Sequence, residues 1–293
     1  MTPSALCKQE LMGKTFGMVL SPLIELNDGN RIPQIGLGTW PLDDRQVADA
    51  VVYAVEAGYR HIDTAVKYGN EAGVGEGFRR SGIGREEFFV TTKLDGEFQG
   101  GDRAVAGLEG SLRRLQMEYV DLLLIHWPLP RRGEFISTWE TFERLQADGK
   151  ARSIGVSNFK PSHLEQLMRA TDVTPAVNQI QLNPSITRTA DCAYNEHHGI
   201  VTESYSPLGA GSGLLSAPVV GRIAKKHGKT EGQVVLRWHV QQNLVTIPKS
   251  ADPQRLKENI DVFGFTLDEE DLIAIETLDE GPEAGVNSDV QGH

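Results

Sequence analysis

Eight times between residues 35 and 259 a short apolar run is followed by a longer segment of helical period, the pattern of parallel strands joined by helical crossovers. The runs fall at 35–38, 61–63, 88–93, 120–126, 152–157, 176–181, 201–204 and 244–247. The helical segments fall at 44–57, 71–80, 103–115, 138–149, 161–170, 189–198, 218–227 and 253–259. Eight strand–helix units close a barrel, so the expected class is α/β, a (β/α)8 TIM barrel. An open doubly wound sheet is the competing architecture, but it requires a glycine fingerprint at its first strand-to-helix turn. Here that turn reads Gly36-Leu37-Gly38-Thr39-Trp40-Pro41 and fails the pattern.

Two features lie outside the repeat. Residues 23–33 carry Asp28-Gly29 between apolar runs, the signature of a hairpin, which is expected to plug the barrel bottom. Residues 268–277 form an extra C-terminal amphipathic helix. Asp43 or Asp44, Thr138 and Asp268 are of N-cap type. No linker divides the 293 residues, so one barrel domain is expected over 18–293. Residues 1–17 fit no periodic template, and Met12 and Met18 offer alternative starts, so this stretch is set aside as an N-terminal extension.

Composition limits the partners. Hydrophobic residues make up 39% and charged residues 24%, ordinary globular usage. The formal net charge of −11 disfavours nucleic acid and anionic membrane surfaces, so any anionic ligand needs a local basic pocket. No stretch approaches the ~18 apolar residues of a membrane span. Cys7 and Cys192 lack metal-like spacing and point to a reducing compartment. The expectation is a cytoplasmic monomer acting on a small molecule.

In a barrel of this type the C-terminal strand ends face the active site. Strand two ends in Asp63, followed by Tyr68; strand three ends in Lys93 and strand four in His126. Each alone has a structural explanation: a buried acid or amine as half of an ion pair, a core histidine, a packing tyrosine. Together they bring four titratable types to one face, which favours chemistry. A free phenol has a pKa of about 10, and lowering it to about 7 takes roughly 4 kcal/mol. One unit charge ~4 Å away at an effective dielectric of ~20 contributes about that much. Lys93 is the candidate cation, Asp63 the carboxylate that keeps it charged, and His126 the donor that orients a carbonyl oxygen beside the Tyr68 hydroxyl. The set protonates an oxygen as negative charge develops on it. It has no obvious nucleophile for acyl transfer.

A metal reading is weaker. His61 and Asp63 share a face of strand two and His126 is near, but Lys93 at the same place repels a cation, so no metal site is assigned. For a hydride donor a nucleotide site is needed. Gly73-Val74-Gly75-Glu76-Gly77 sits inside a helical pattern and is a weak match. Pro248-Lys249-Ser250 directly follows strand eight, with Arg255 in the next helix, where barrels commonly bind phosphate. A solvated helix start is the alternative for those residues. Residues 207–213, a glycine-rich loop after strand seven, let backbone approach an anion. Ser157, Asn158 and Gln179 can hydrogen-bond an amide, and Tyr205 offers a flat face for stacking.

Three motifs now stand out: residues 58–65, Gly-Tyr-Arg-His-Ile-Asp-Thr-Ala, continuing through Tyr68-Gly69-Asn70-Glu71 to Gly75; residues 152–159, Arg-Ser-Ile-Gly-Val-Ser-Asn-Phe; and Ile247-Pro248-Lys249-Ser250 with Arg255, Glu258 and Asn259. In this order they resemble the aldo-keto reductase family, and the likeness runs from about residue 19 to near the end. Tyr205-Ser206-Pro207-Leu208-Gly209 and the short tail look most like microbial members related to 2,5-diketo-D-gluconate reductases. The resemblance implies a barrel that binds an extended nicotinamide dinucleotide, NADPH/NADP+, without a Rossmann fingerprint. It implies Asp63, Tyr68, Lys93 and His126 as a catalytic tetrad with Tyr68 the proton donor. It implies that Ser157, Asn158 and Gln179 hold the carboxamide, that Tyr205 stacks on the nicotinamide, and that Lys249, Ser250, Arg255, Glu258 and Asn259 bind the adenosine end. Gly38, Thr39, Ser206, Leu208 and Gly209 complete the implied cofactor contacts. Gln181 and Asn183 depart from the Glu and His more often seen there.

The expected activity is NADPH-dependent reduction of an aldehyde or ketone. The alternative is a nucleotide-sensing barrel that binds NADPH with little turnover. Trp40 and Trp127 are the expected walls of a mostly apolar substrate pocket, with 128–136 and 282–293 closing over it.

Overall fold

A computed structural model describes residues 20–293, so the extension expected over 1–17, Cys7 included, lies outside the described residues. The chain opens with an antiparallel hairpin of β1 (Leu23–Glu25) and β2 (Arg31–Pro33), turning at Gly29 with φ +83°. The first four barrel units follow as β3 (Leu37–Gly38), α1 (Asp44–Ala57), β4 (His61–Asp63), α2 (Glu71–Ser81), β5 (Phe89–Leu94), α3 (Gly101–Leu115), β6 (Val120–Ile125) and α4 (Phe135–Ala147). The next three are β7 (Ala151–Ser157), α5 (Pro161–Ala170), β8 (Val177–Gln181), α6 (Thr189–His197) and β9 (Val201–Tyr205), then α7 (Pro218–His227) and α8 (Glu231–Gln241). β10 (Val245–Thr246), α9 (Pro253–Ile260) and α10 (Glu269–Glu276) end the regular structure.

Strands β3 to β10 are all parallel and pair in chain order. A parallel bridge between Ile35 and Thr246 joins the two edges, with Gly36 N–H donating to Thr246 O at 2.9 Å and Thr246 N–H to Gln34 O at 2.9 Å. The sheet therefore closes as the sequence pattern requires. At its bottom, Leu26 and Ile32 of the hairpin pack with the interior residues Phe89, Leu122, Val177 and Val245. Asn30 fixes the hairpin by donating to Arg152 O at 3.2 Å and Ser153 Oγ at 3.1 Å. The hairpin is thus the expected plug, and the open end lies at the C-terminal strand ends.

Three local expectations change. Two helices, not one, lie between β9 and β10: α8 was not anticipated, although Thr230 and Gln233 form a capping box at its start. It packs on both α7 and β10, so it completes the last crossover, while α7 stands as an addition to the repeat. Helix α4 begins at Phe135 rather than 138, and Thr138, expected as a cap, lies inside it and donates to Glu134 O at 2.7 Å. Asp43 caps α1, and Asp268 caps α10. The glycines of α2 serve packing: an added Cβ at Gly73 or Gly77 would strike α1, and at Gly75 it would strike Leu115, all closer than 3 Å. They carry no phosphate cradle.

Candidate active site

The motif around Tyr68 is a positioning device. A single 3-10 turn, Val66–Tyr68, links β4 to α2 and is closed by Gly69 at φ +67°. Buried Asn70 clamps it: its amide donates to Thr39 O at 3.1 Å and Leu42 O at 2.8 Å, and its carbonyl accepts from Thr64 Oγ1 at 2.9 Å. Glu71 anchors the next turn by accepting from Thr92 Oγ1 at 2.5 Å and Arg114 Nε at 2.7 Å. The phenol is thereby aimed over the ends of β4 and β5.

There the expected group assembles. Lys93 Nζ donates to Asp63 Oδ1 at 2.5 Å, to Tyr68 Oη at 3.2 Å and to Thr64 O at 3.0 Å. The Tyr68 and His126 rings meet edge-on with centroids 5.8 Å apart. Burial works against the charge of Lys93, yet the adjoining Asp63 carboxylate holds its pKa above the ordinary lysine range. Burial, then Lys93, pushes His126 well below the usual imidazole range, so it is neutral at working pH. The phenol corrects the simple charge arithmetic: burial raises the Tyr68 pKa more than Lys93 lowers it. The ammonium divides its hydrogen bonds among three partners, and the low-dielectric floor favours the neutral phenol. A phenol that keeps its proton is the form a proton donor needs.

Beneath lies a residue that the sequence analysis missed. Glu203 in β9 is fully buried, and the Gln179 amide bridges it to Asp63, donating to Asp63 Oδ2 at 2.8 Å and Glu203 Oε2 at 2.9 Å. Burial and the nearby Asp63 charge push the Glu203 pKa up to about 8. Below it His61, pushed down to about 3 by burial, sits 3.7 Å from Glu203 Oε1 and 3.1 Å from Thr91 Oγ1. The signal was readable: Glu203 shares parity with Tyr205 along β9, so its side chain points to the barrel interior. His61 belongs to this lower layer rather than to a metal set with Asp63.

Two adjoining cavities meet at Tyr68. One, of about 400 Å³, is lined by Trp40, Tyr68, His126, Trp127, Ser157, Asn158, Gln179, Tyr205, Ser206 and His293. The other, of about 570 Å³, runs from Asp63 and Tyr68 past Gly38, Thr39, Tyr205, Ser206 and Leu208 to Lys249. Gly38 is required there, because a Cβ would lie 2.7 Å from Ile247 O. Gly209 supports this wall as a turn at φ +81° rather than lining it. Both tryptophans line the smaller cavity.

The amide-binding candidates converge at the junction but are engaged with one another. Ser157 Oγ donates to Gln179 O at 2.9 Å, Asn158 Nδ2 donates to His126 O at 3.1 Å, and the Tyr205 hydroxyl donates to Asn158 Oδ1 at 2.9 Å. Gln179 spends both N–H bonds on carboxylates, which leaves its side-chain carbonyl for a ligand. At the far end Lys249 and Arg255 are exposed and make no side-chain hydrogen bond or ion pair among the described residues. Arg255, in the first turn of α9, lines neither cavity, and its backbone N–H is capped by Asp252 Oδ1 at 2.9 Å. Ser250 turns back into its loop, accepting from Asp252 N at 3.0 Å. Glu258 accepts from Gln254 at 3.0 Å, and Asn259 lies on the buried side of α9.

The segment past α10 reaches the cleft through His293, whereas no residue of 128–136, expected to close over the pocket as well, lines either cavity; Leu129 instead backs Gly292, where an added Cβ would meet Leu129 and Trp127. The two departures noted in the sequence have structural work. Gln181 Oε1 accepts from Val286 N at 2.9 Å and so ties this segment to β8, while Asn183 Oδ1 accepts from Ser185 N at 2.9 Å. Among the described residues no helix is long and apolar enough to cross a membrane.

The Aldo/keto reductase family model matches residues 34–280. An aldo-keto reductase of Mycobacterium sp. (strain KMS) is 47% identical over 90% of this chain and 96% of its own length. Methylglyoxal reductase DkgA of Escherichia coli is 44% identical over 92% of this chain and 98% of its own. A crystal structure of a Gox0644 variant in complex with NADPH, 45% identical, aligns with a TM-score of 0.87 over 92% of this chain and 97% of that one. With the barrel, the plug and the cleft already in place, these matches make the chain a member of the aldo-keto reductase family.

Proposed function

We propose that this chain uses NADPH to reduce an aldehyde or ketone to an alcohol, with Tyr68 as the proton donor, Lys93 and Asp63 as its electrostatic support and His126 as the group that orients the carbonyl oxygen. The carrying observation is the Lys93 ammonium, 2.5 Å from Asp63 Oδ1 and 3.2 Å from the Tyr68 hydroxyl at the junction of two cavities. When bound, NADPH supplies a hydride. The chain's task is then to stabilise charge on the substrate oxygen. As that oxygen gains electron density, the Tyr68 proton passes to it and Lys93 stabilises the phenolate left behind. His126, held neutral, has an N–H to give to the same oxygen and fixes its approach.

The residues suit the cofactor. Tyr205 lines both cavities, the free carbonyl of Gln179 can accept from an amide, and Lys249 at the end of the open cleft and Arg255 beyond it are cations with no side-chain partner among the described residues. The 2′-phosphate of NADPH fits that charge. Trp40 and Trp127 wall the substrate side. The same reading takes the protein to be a cytoplasmic monomer.

NADPH oxidation by the purified chain with a panel of small aldehydes and ketones tests the proposal. Turnover on at least one carbonyl is expected. Tight NADPH binding with no turnover on any would support the nucleotide-sensing alternative.

A further inference from the structure

A second convergence of ligand-type side chains sits at the mouth of the cleft. Asp95 follows β5, His126 follows β6, and His293 arrives with the segment past α10. Each offers one ligand atom, and the three atoms lie within 4.8 Å of one another. His293 Nδ1 is 2.8 Å from Asp95 Oδ1, and the His293 and His126 rings meet edge-on at 4.8 Å between centroids. The Nδ1 of His126 is buried with no hydrogen-bond partner among the described residues. His293 is delivered there by a built path. Arg188 Nη2 donates to Val286 O at 2.8 Å, Lys160 and His163 hold Asp289 at 2.5 and 3.0 Å, and Gly96 N donates to His293 O at 3.2 Å.

We propose that Asp95, His126 and His293 form a site for a divalent transition metal of the Zn²⁺ class, and that the bound ion blocks the approach of a carbonyl to His126. Two imidazoles and one carboxylate suit Zn²⁺ or Co²⁺, whereas Mg²⁺ and Ca²⁺ prefer oxygen ligands. Metal–ligand bonds run about 2.0–2.2 Å, so two ligands of one ion stand at most ~4.4 Å apart and the trio must contract slightly. The His293 side chain, 35% exposed, is the one free to turn inward. Two cations oppose the ion: Lys93, whose charge is taken up by Asp63 at 2.5 Å, and Lys67, whose Nζ is 3.6 Å from Asp95 Oδ2 but which is half exposed and can swing into solvent.

Binding rests on this geometry alone; the block rests also on the role of His126 proposed above. The test uses the full chain without an added histidine tag, free of nucleotide. Zn²⁺ is titrated by calorimetry, and Co²⁺ by its visible absorption. One ion per chain is expected, with His293→Ala and Asp95→Asn each weakening it at least about tenfold. His197→Ala, which alters the separate pair His197-His198 on α6, should leave it unchanged. Zn²⁺ should inhibit NADPH oxidation by the wild-type chain at concentrations that track its Kd, and His293→Ala should relieve this. Absence of stoichiometric binding, or binding that survives both substitutions, overturns the site. A bound ion that leaves turnover intact overturns the block. Should the metal-free chain reduce no carbonyl at all, the reductase reading fails while the binding titrations still decide the site.

Discussion

At the floor of the cleft every charged group is held by another group of the chain, whereas at its far end the exposed cations Lys249 and Arg255 have no side-chain partner among the described residues. Lys93, Asp63, Gln179 and Glu203 are at most 1% exposed and linked by hydrogen bonds of 2.5 to 2.9 Å. Burying a charge is costly unless it is paired, so this cluster exists only as a set. The cations at the far end cost the fold little, because water solvates them until an anion arrives. On the proposed reading, the chemistry is built into the core and the phosphate is recognised on the rim. Substitutions at the floor should damage stability and turnover together; those at the rim should change affinity alone.

The largest effect is expected from Lys93→Met. It leaves Asp63 buried beside Glu203 without a cation, and breaking a buried pair in this way costs roughly 3–5 kcal/mol. Chemical denaturation should show that loss along with a severe drop in turnover; unchanged stability would mean that the floor is not a mutually dependent set. Arg255→Ala sharpens the other side. NADPH binding should weaken by about tenfold to a hundredfold, as expected for lost charged hydrogen bonds to a phosphate. NADH affinity and the denaturation midpoint should stay put. Fluorescence titration of both cofactors at one salt concentration checks this, and equal losses for the two would assign Arg255 to the helix rather than the phosphate.

The smallest effect is in the pH dependence. Glu203 has a folded pKa raised to about 8. The stability associated with its protonation is complete below its ordinary value of about 4.3 and is lost as pH rises through about 8. Ionisation also places a second anion near Tyr68, which makes the phenol a poorer donor. In the wild-type chain stability should therefore decline from about pH 4.3 to about 8 and level off above it, and kcat should fall between about pH 7 and 9, while Glu203→Gln, which cannot ionise, should lose both limbs. Identical profiles would remove Glu203 from the electrostatics of the site.

Legibility in the sequence followed the same division. The eight-fold alternation revealed the barrel, and Asp28-Gly29 the plug, because both are local patterns with fixed periods. The convergence of Asp63, Lys93 and His126 was legible because parity and strand ends place them on one face. Helix α8 escaped because an eight-unit template left it no place, although Thr230, Gln233 and the apolar residues after them carry a clear helix start. Glu203 escaped because an acid inside a strand was not followed to its partner, Gln179, beside it in register. His293 left no periodic signal at all. Its position depends on tertiary contacts of Gln181, Arg188 and Lys160, which lie far from it in sequence.

The central claim is that proton donation is separable from cofactor binding, and Tyr68→Phe tests it most directly. The measurement is the single-turnover rate of NADPH oxidation by the variant saturated with NADPH and carbonyl substrate, with the NADPH Kd taken on the same preparation. Loss of a general acid typically costs about 10²- to 10⁴-fold, so the rate should fall by that much while Kd stays within about twofold of wild type. A near-normal rate would contradict Tyr68 as the donor, and a comparable loss in Kd would contradict the division between floor and rim.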